Sequence, residues 1–434
     1  MSSPRRMLVI ADSDSYVKWG AALAARLPAD WTARVVVLRS PVMPSPRQLR
    51  IALKGTGFAP EVVGETAVDD LVTLIAADEP DAVLLSLRGP LVRVVSPLIM
   101  RMPNRPVLLS GFPGITIPAE RKAVIFRELV DLIVLHSRRE VRDFGANAAD
   151  LGVDVAFGLA TFPFLASVGS ASAIRNAVVF AAQAKVPAER EDRIRLLGWL
   201  ADAARAQPEH RVVVKVRAIA GEAQTHREEY GFAELLSEPD VLARLAGRPA
   251  NLVVEDGPMA EHLAQAAALV TISSTAALEA IALGVPVVMV DDFGVDRALI
   301  NTVFDGSGLL ASSRELIAGR YRHPDPAWLD DNYFHGDEFD DWASHLNALA
   351  DRRAASGLPQ RTRVHNLTGG ALRSAYERRR VLGTYDTGTL GAAAAVIGAP
   401  VRWTLRRGRK ALRTLLGARE DAAPLELPQP AGRP

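Results

Sequence analysis

Leu269-Val-Thr-Ile-Ser-Ser-Thr-Ala-Ala-Leu-Glu-Ala-Ile-Ala-Leu-Gly-Val-Pro-Val-Val-Met-Val290 holds a strand, a turn, a helix and a second strand in one short stretch. The apolar run Leu269–Ile272 ends at Ser273-Ser274-Thr275. A helix then begins, with Ser274 or Ser273 as its cap. Gly284 stops it, Pro286 follows, and Val285–Val290 is apolar again. A helix start leaves backbone N–H groups unpaired and carries partial positive charge, which suits a phosphate. Three hydroxyls add neutral donors, and small side chains let a diphosphate approach the backbone. Glu279 is the one charged residue of the helix. Helical side chains lean toward the N-terminus, so Glu279 tilts toward the strand end, where a carboxylate suits two ribose hydroxyls. Ser-Ser-Thr serves equally as an ordinary helix cap, and Glu279 equally as the partner of a nearby arginine.

The same alternation extends upstream. Ala177–Phe180, Arg211–Val216 and Asn251–Val254 read as strands, with a long helix over Ala188–Ala206. Before them, Phe162-Pro163-Phe164 and Ser167–Ser172 read as a linker. A first series precedes the linker: strands at Met7–Ala11, Arg34–Leu38, Ala82–Leu87, Val107–Ser110 and Leu132–His136, separated by helical segments. Strands alternating with helices imply βαβ units and parallel sheets. The expected architecture is α/β, with two Rossmann-like domains facing a cleft. Their expected extents are 1–165 and 166–320, followed by a basic, helical extension over 321–434. Open parallel sheets bind ligands at the carboxyl ends of their strands, so the informative residues lie just after each strand.

Composition narrows the class. The 434 residues are 49% hydrophobic and 23% charged, as in a globular enzyme. A net charge of +1 gives no footprint for nucleic acid, and the absence of cysteine excludes disulfides, thiolate metal sites and a Cys nucleophile. Met7–Ala11 is too short for the apolar core of a signal peptide, and no run reaches the roughly 20 apolar residues that span a bilayer. A cytoplasmic location is expected. His323, His335 and Asp337 lack metal-ligand spacing, so no metal is expected. The run Arg402-Trp-Thr-Leu-Arg-Arg-Gly-Arg-Lys-Ala-Leu-Arg413 reads as a basic amphipathic helix. It suits an anionic membrane surface, or it is a solvated terminal helix.

Ser273-Ser274-Thr275, Leu278-Glu279-Ala280 and Leu283-Gly284-Val285-Pro286-Val287 together resemble the donor-domain motif of GT-B glycosyltransferases. The branch they look most like contains the capsule-polysaccharide, polysialic-acid and teichoic-acid transferases. Asp12-Ser-Asp-Ser-Tyr16 with Lys18-Trp19, Gly111-Phe-Pro-Gly114 and His136-Ser-Arg-Arg-Glu140 also resemble an uncharacterised family of glycosyltransferases. The resemblance implies a nucleotide-sugar donor, with no other cofactor and no bound metal. Ser273, Ser274, Thr275 and Lys215 would hold its phosphates and Glu279 its ribose. One departure stands out. The branch ends the second strand of this domain with Lys-x-His-Pro, whereas here Lys215-Val216-Arg217-Ala218 follows. Arg217 can supply a cation to phosphate. Lys215 and Arg217 can equally pair with Glu222 or Glu255, and the missing His-Pro pair leaves the donor base open rather than fixed as the CMP or CDP of that branch.

Glycosyl transfer needs a base near the acceptor hydroxyl and cations or dipoles near the departing phosphate. Asp12 and Asp14 follow the first strand, and His136 ends the fifth. These are the candidate catalytic residues; a cap at Asp14 and a satisfied turn at His136 are the alternatives. Asp12-x-Asp14 also spells a metal motif of another glycosyltransferase fold, but there it lies mid-domain. Arg88-Gly89-Pro90 adds a cation at a strand end. The expected activity is transfer of a sugar from a nucleotide-sugar to a cell-surface glycan or lipid-linked acceptor. Polyol-phosphate transfer, epimerisation of a nucleotide-sugar and donor binding without catalysis are the competing expectations.

Overall fold

The structure, a computed structural model, describes residues 4–163, 165, 175–184, 186–216, 229–368 and 370–388. Two open sheets organise it. The first contains β1 (Arg5–Ala11), β2 (Trp31–Leu38), β3 (Gly64–Thr66), β4 (Ala82–Ser86), β5 (Val107–Gly111), β6 (Leu132–Leu135) and β7 (Ala156–Leu159), in the order β3-β2-β1-β4-β5-β6-β7. The second contains β8 (Ala177–Ala181), β9 (Arg211–Lys215), β10 (Leu252–Glu255), β11 (Ala266–Thr271), β12 (Val287–Val290) and β13 (Leu310–Ala311), in the order β10-β9-β8-β11-β12-β13. Every pairing within them is parallel. Both sheets are doubly wound, as the two alternating series implied. Strands covered on both faces read as unbroken apolar runs, and Met7 to Ala11 of β1 are all buried.

Sequence reading misses β3, β7 and β13. All three are short and lie at sheet edges. An edge strand has one neighbour and less apolar cover, so Gly64-Glu65-Thr66 carries no β-branched run that marks it as a strand.

The C-terminal boundary needs correction. Residues 321–434 do not form one extension: Met1–Leu367 is one compact unit and Thr368–Pro434 another. After the second sheet the chain returns to the first. Helix Trp342–Ser356 buries Trp342, Leu346 and Ala350, spaced by one helical turn each, in the same core as Met7, Val9 and Leu132. Gly158 of β7 makes this docking possible, because a Cβ there would lie 2.8 Å from the Trp342 Cα. Asp341 fixes the entry: its Oδ1 accepts from the Leu159 amide at 2.6 Å, and its own amide donates to the Leu159 carbonyl at 3.0 Å. In the other unit, Gly370–Leu382 is helical. The basic run Arg402 to Arg413 lies outside the described residues, as does most of the segment read as a linker. Among the described residues no helix is long and apolar enough to cross a membrane.

Candidate functional site at the two switch points

In a doubly wound sheet the crossovers leave in opposite directions from one pair of neighbouring strands, and a crevice opens beyond their carboxyl ends. In the first sheet that pair is β1 and β4. Ala11 pairs with Ser86, so both strands end level. Asp12, the next residue on β1, is fully buried. Its carboxylate accepts from Arg88 Nε at 2.5 Å and from the Arg88 amide at 3.3 Å. Burial pushes the Asp12 pKa up, and the Arg88 cation pulls against that. Asp14, expected as a cap or a base, is the first residue of helix Asp14–Ala24 and is only partly buried. Its carboxylate accepts from Ser15 Oγ at 3.3 Å.

In the second sheet the pair is β8 and β11, and a side-chain pair again bridges them. Gln183, just after β8, holds Ser273, just after β11. The Ser273 amide donates to Gln183 Oε1 at 3.1 Å, and Gln183 Nε2 lies 3.0 Å from Ser273 Oγ. Gln183 was invisible to motif reading, although its place directly after the first strand of a Rossmann-like unit was a usable signal. Thr271 Oγ1 accepts from the Ser274 amide at 3.2 Å, and Ser274 Oγ accepts from the Ala276 amide at 3.2 Å. The helix is Ala276–Ala282, and its cap position is Thr275 rather than Ser273 or Ser274, with no side-chain cap bond. Two of the three hydroxyls therefore shape the turn itself.

Glu279 is partly buried on this helix and makes no hydrogen bond or ion pair among the described residues. Lys215 is buried at the end of β9. Arg217 lies outside the described residues. The loops of the two sheets meet: a Cβ on Gly114, after β5, would sit 3.3 Å from Thr275 Cγ2, after β11.

His136 is not placed to act as a base. It is buried, Trp19 Nε1 donates to its Nε2 at 2.7 Å, and its Nδ1 lies 2.9 Å from the Ala160 carbonyl. Since the carbonyl can only accept, Nδ1 carries the proton and both ring nitrogens are engaged. Burial lowers its pKa to about 4. His136 is a core residue holding Trp19 and the end of the first sheet together.

The working carboxylate of this turn is Glu140. It accepts from the His136 amide at 2.9 Å, Thr116 Oγ1 at 2.6 Å and Tyr333 Oη at 2.6 Å. Tyr333 packs in the core of the second sheet, so Glu140 ties that core to two strand-end loops of the first. Burial raises the Glu140 pKa against the pull of these bonds. His335 and Asp337 also serve structure. His335 Nε2 lies 3.1 Å from Asp340 Oδ1, and Asp337 accepts from Thr161 Oγ1 at 2.9 Å.

Residues 7–349 match the family described as "Putative glycosyltransferase (DUF6716)". No curated protein matches the chain. Among solved structures, a putative UDP-N-acetylglucosamine 2-epimerase from Listeria monocytogenes is 12% identical, with a TM-score of 0.52 over 84% of this chain and 100% of that one. The S. aureus MnaA structure with UDP is 10% identical, with a TM-score of 0.50 over 80% of this chain and 95% of that one. At such identities the likeness shows the fold, two Rossmann-like halves of the GT-B type.

Proposed function

The chain belongs to this family by its match over residues 7–349, and from that premise we propose that it is a glycosyltransferase that moves a sugar from a nucleotide-sugar to a hydroxyl of a glycan or lipid-linked acceptor. The donor nucleotide lies at the β8–β11 switch point. The observation that carries this reading is Glu279, a partly buried carboxylate without a partner among the described residues, on the helix that follows β11. A carboxylate with open acceptor oxygens at this place suits the two hydroxyls of a ribose diol. The Thr275 amide and hydroxyl, together with Lys215, receive the phosphates. Gln183 sets the turn that presents them.

The acceptor enters from the first sheet. Its hydroxyl oxygen bonds to the anomeric carbon while the bond from that carbon to the phosphate oxygen breaks. The hydroxyl proton passes to a base, and the nucleotide leaves as its phosphate. Of the three candidate bases, Asp14 fits best, since His136 has no free nitrogen and Asp12 is sealed against Arg88. The basic run Arg402 to Arg413 would bring the enzyme to an anionic membrane carrying a lipid-linked acceptor.

The test is a thermal-shift screen against UDP, GDP, CDP, CMP, ADP and dTDP, with Glu279→Ala alongside. A ligand that binds only the folded state raises the melting temperature. One nucleotide is expected to stabilise the wild type. Loss of a charge-assisted hydrogen bond worth about 1.5–3 kcal/mol should weaken it at least about tenfold in the variant. Equal shifts in both proteins would remove Glu279 from the donor site. Isomerisation of the bound nucleotide-sugar without any acceptor would point to an epimerase instead.

A further inference from the structure

Resting on the transferase reading, we propose that the β1–β4 switch point is a receptor for an anionic group of the acceptor, a phosphate or a carboxylate, gripped by the outer nitrogens of Arg88. The guanidinium is divided between two tasks. Its Nε faces inward to Asp12, which also accepts from the Arg88 amide. Its Nη2 is buried with no hydrogen-bond partner among the described residues. Nη1 also donates to nothing among the described residues, and it is not sealed from solvent. The side chain as a whole is 30% exposed, while that of Asp12 is 0% exposed. One edge of the fork is anchored, and the other points donors that nothing among the described residues satisfies.

A purely structural role accounts poorly for this arrangement. Joining two strand ends by a buried ion pair costs desolvation that an apolar pair of similar volume avoids. An apolar pair could not present an oriented cation. The neighbours fit an anion too. The Tyr16 phenol lies within electrostatic reach of Arg127, Asp12 and Arg88, and burial raises its pKa, so it stays protonated and can donate. Arg127 is already committed: it donates to Ser110 Oγ at 3.0 Å and the Gly111 carbonyl at 3.0 Å, stacks on Phe112 at 3.9 Å, and meets the Tyr16 phenol. Arg88 is thus the cation of this group left to meet a ligand. A planar fork with two outer donors matches the paired oxygens of a phosphate or carboxylate.

The experiment titrates the full chain with methyl phosphate and, separately, methyl β-glucuronoside, by calorimetry. The two probes separate the phosphate and carboxylate sources. The central variant is Asp12→Asn with Arg88→Met, which removes both charges together and avoids stranding a buried carboxylate. A second variant, Arg88→Lys, keeps the charge and loses the fork. Wild type is expected to bind one of the two anions. The double variant should bind it at least tenfold more weakly, Arg88→Lys should fall between, and both should keep wild-type affinity for the stabilising nucleotide. The proposal is overturned if wild type binds neither anion or if the double variant binds as tightly as wild type. It is also overturned if the double variant loses the nucleotide too, which would assign Arg88 to the donor phosphates. Anion binding in a protein that takes no nucleotide would sink the donor reading and leave the anion receptor standing.

Discussion

Between neutral pH and pH 4 the wild-type protein should lose about 3 kcal/mol of stability that a His136→Gln variant does not lose. His136 has a folded-state pKa of about 4 against an ordinary value of 6.5, because burial disfavours its charged form. Above 6.5 the ring is neutral in both states and its contribution is complete. As the pH falls below 6.5 the unfolded chain binds a proton that the folded chain refuses, so stability falls until about pH 4. Asp12 and Glu140 have raised values and act in the opposite direction, but they are shared by both proteins. The difference between wild type and variant isolates the histidine. Urea denaturation at several pH values measures it. Parallel curves would mean that His136 titrates normally, and its place in the core would have to be abandoned.

Trp342→Ala should cost about 3–5 kcal/mol, a large part of the roughly 5–15 kcal/mol that holds a domain folded. Trp342 is 3% exposed and packs on the first sheet together with Leu346 and Ala350. Gly158 leaves no room for a substitute to relax toward β7 without moving backbone. Truncation before residue 342 should be worse, because it strips the apolar face of a whole helix from a core that begins at Met7. Such a chain should aggregate or bind a hydrophobic dye, while truncation after residue 367 should leave the melting temperature near that of the full chain. A stable, monomeric product ending before Trp342 would show that the return helix is dispensable.

Sequence reading went furthest where burial is two-sided. β1, β4, β5 and β8 each carry an unbroken buried apolar run, and their ends are legible to within a residue or two. It failed at β3, β7 and β13, whose exposed edges need few apolar residues. It also failed at Trp342–Ser356, whose apolar face is readable but whose docking partner is not. The helix carries its burial pattern in its own residues, whereas the surface it covers is built from strands far earlier in the chain, from Met7 to Val134.

The candidate site divides along the same line. Ser273, Ser274, Thr275 and Glu279 were legible because one contiguous segment carries strand, turn and helix. Asp12, Asp14 and Arg88 were legible as strand-end residues. Their roles were not, because a role depends on what stands opposite. Trp19 and Ala160 turn His136 from a candidate base into a core residue. Arg88 turns Asp12 into an anchor, and Gln183 pins Ser273 across the second sheet. The sequence by itself determined two doubly wound parallel sheets and the strand ends at which chemistry can sit, since those follow from local periodicity. Which of those side chains are sealed and which keep an open hydrogen-bonding edge was decided by tertiary structure alone, because burial and pairing are set by residues distant in the chain.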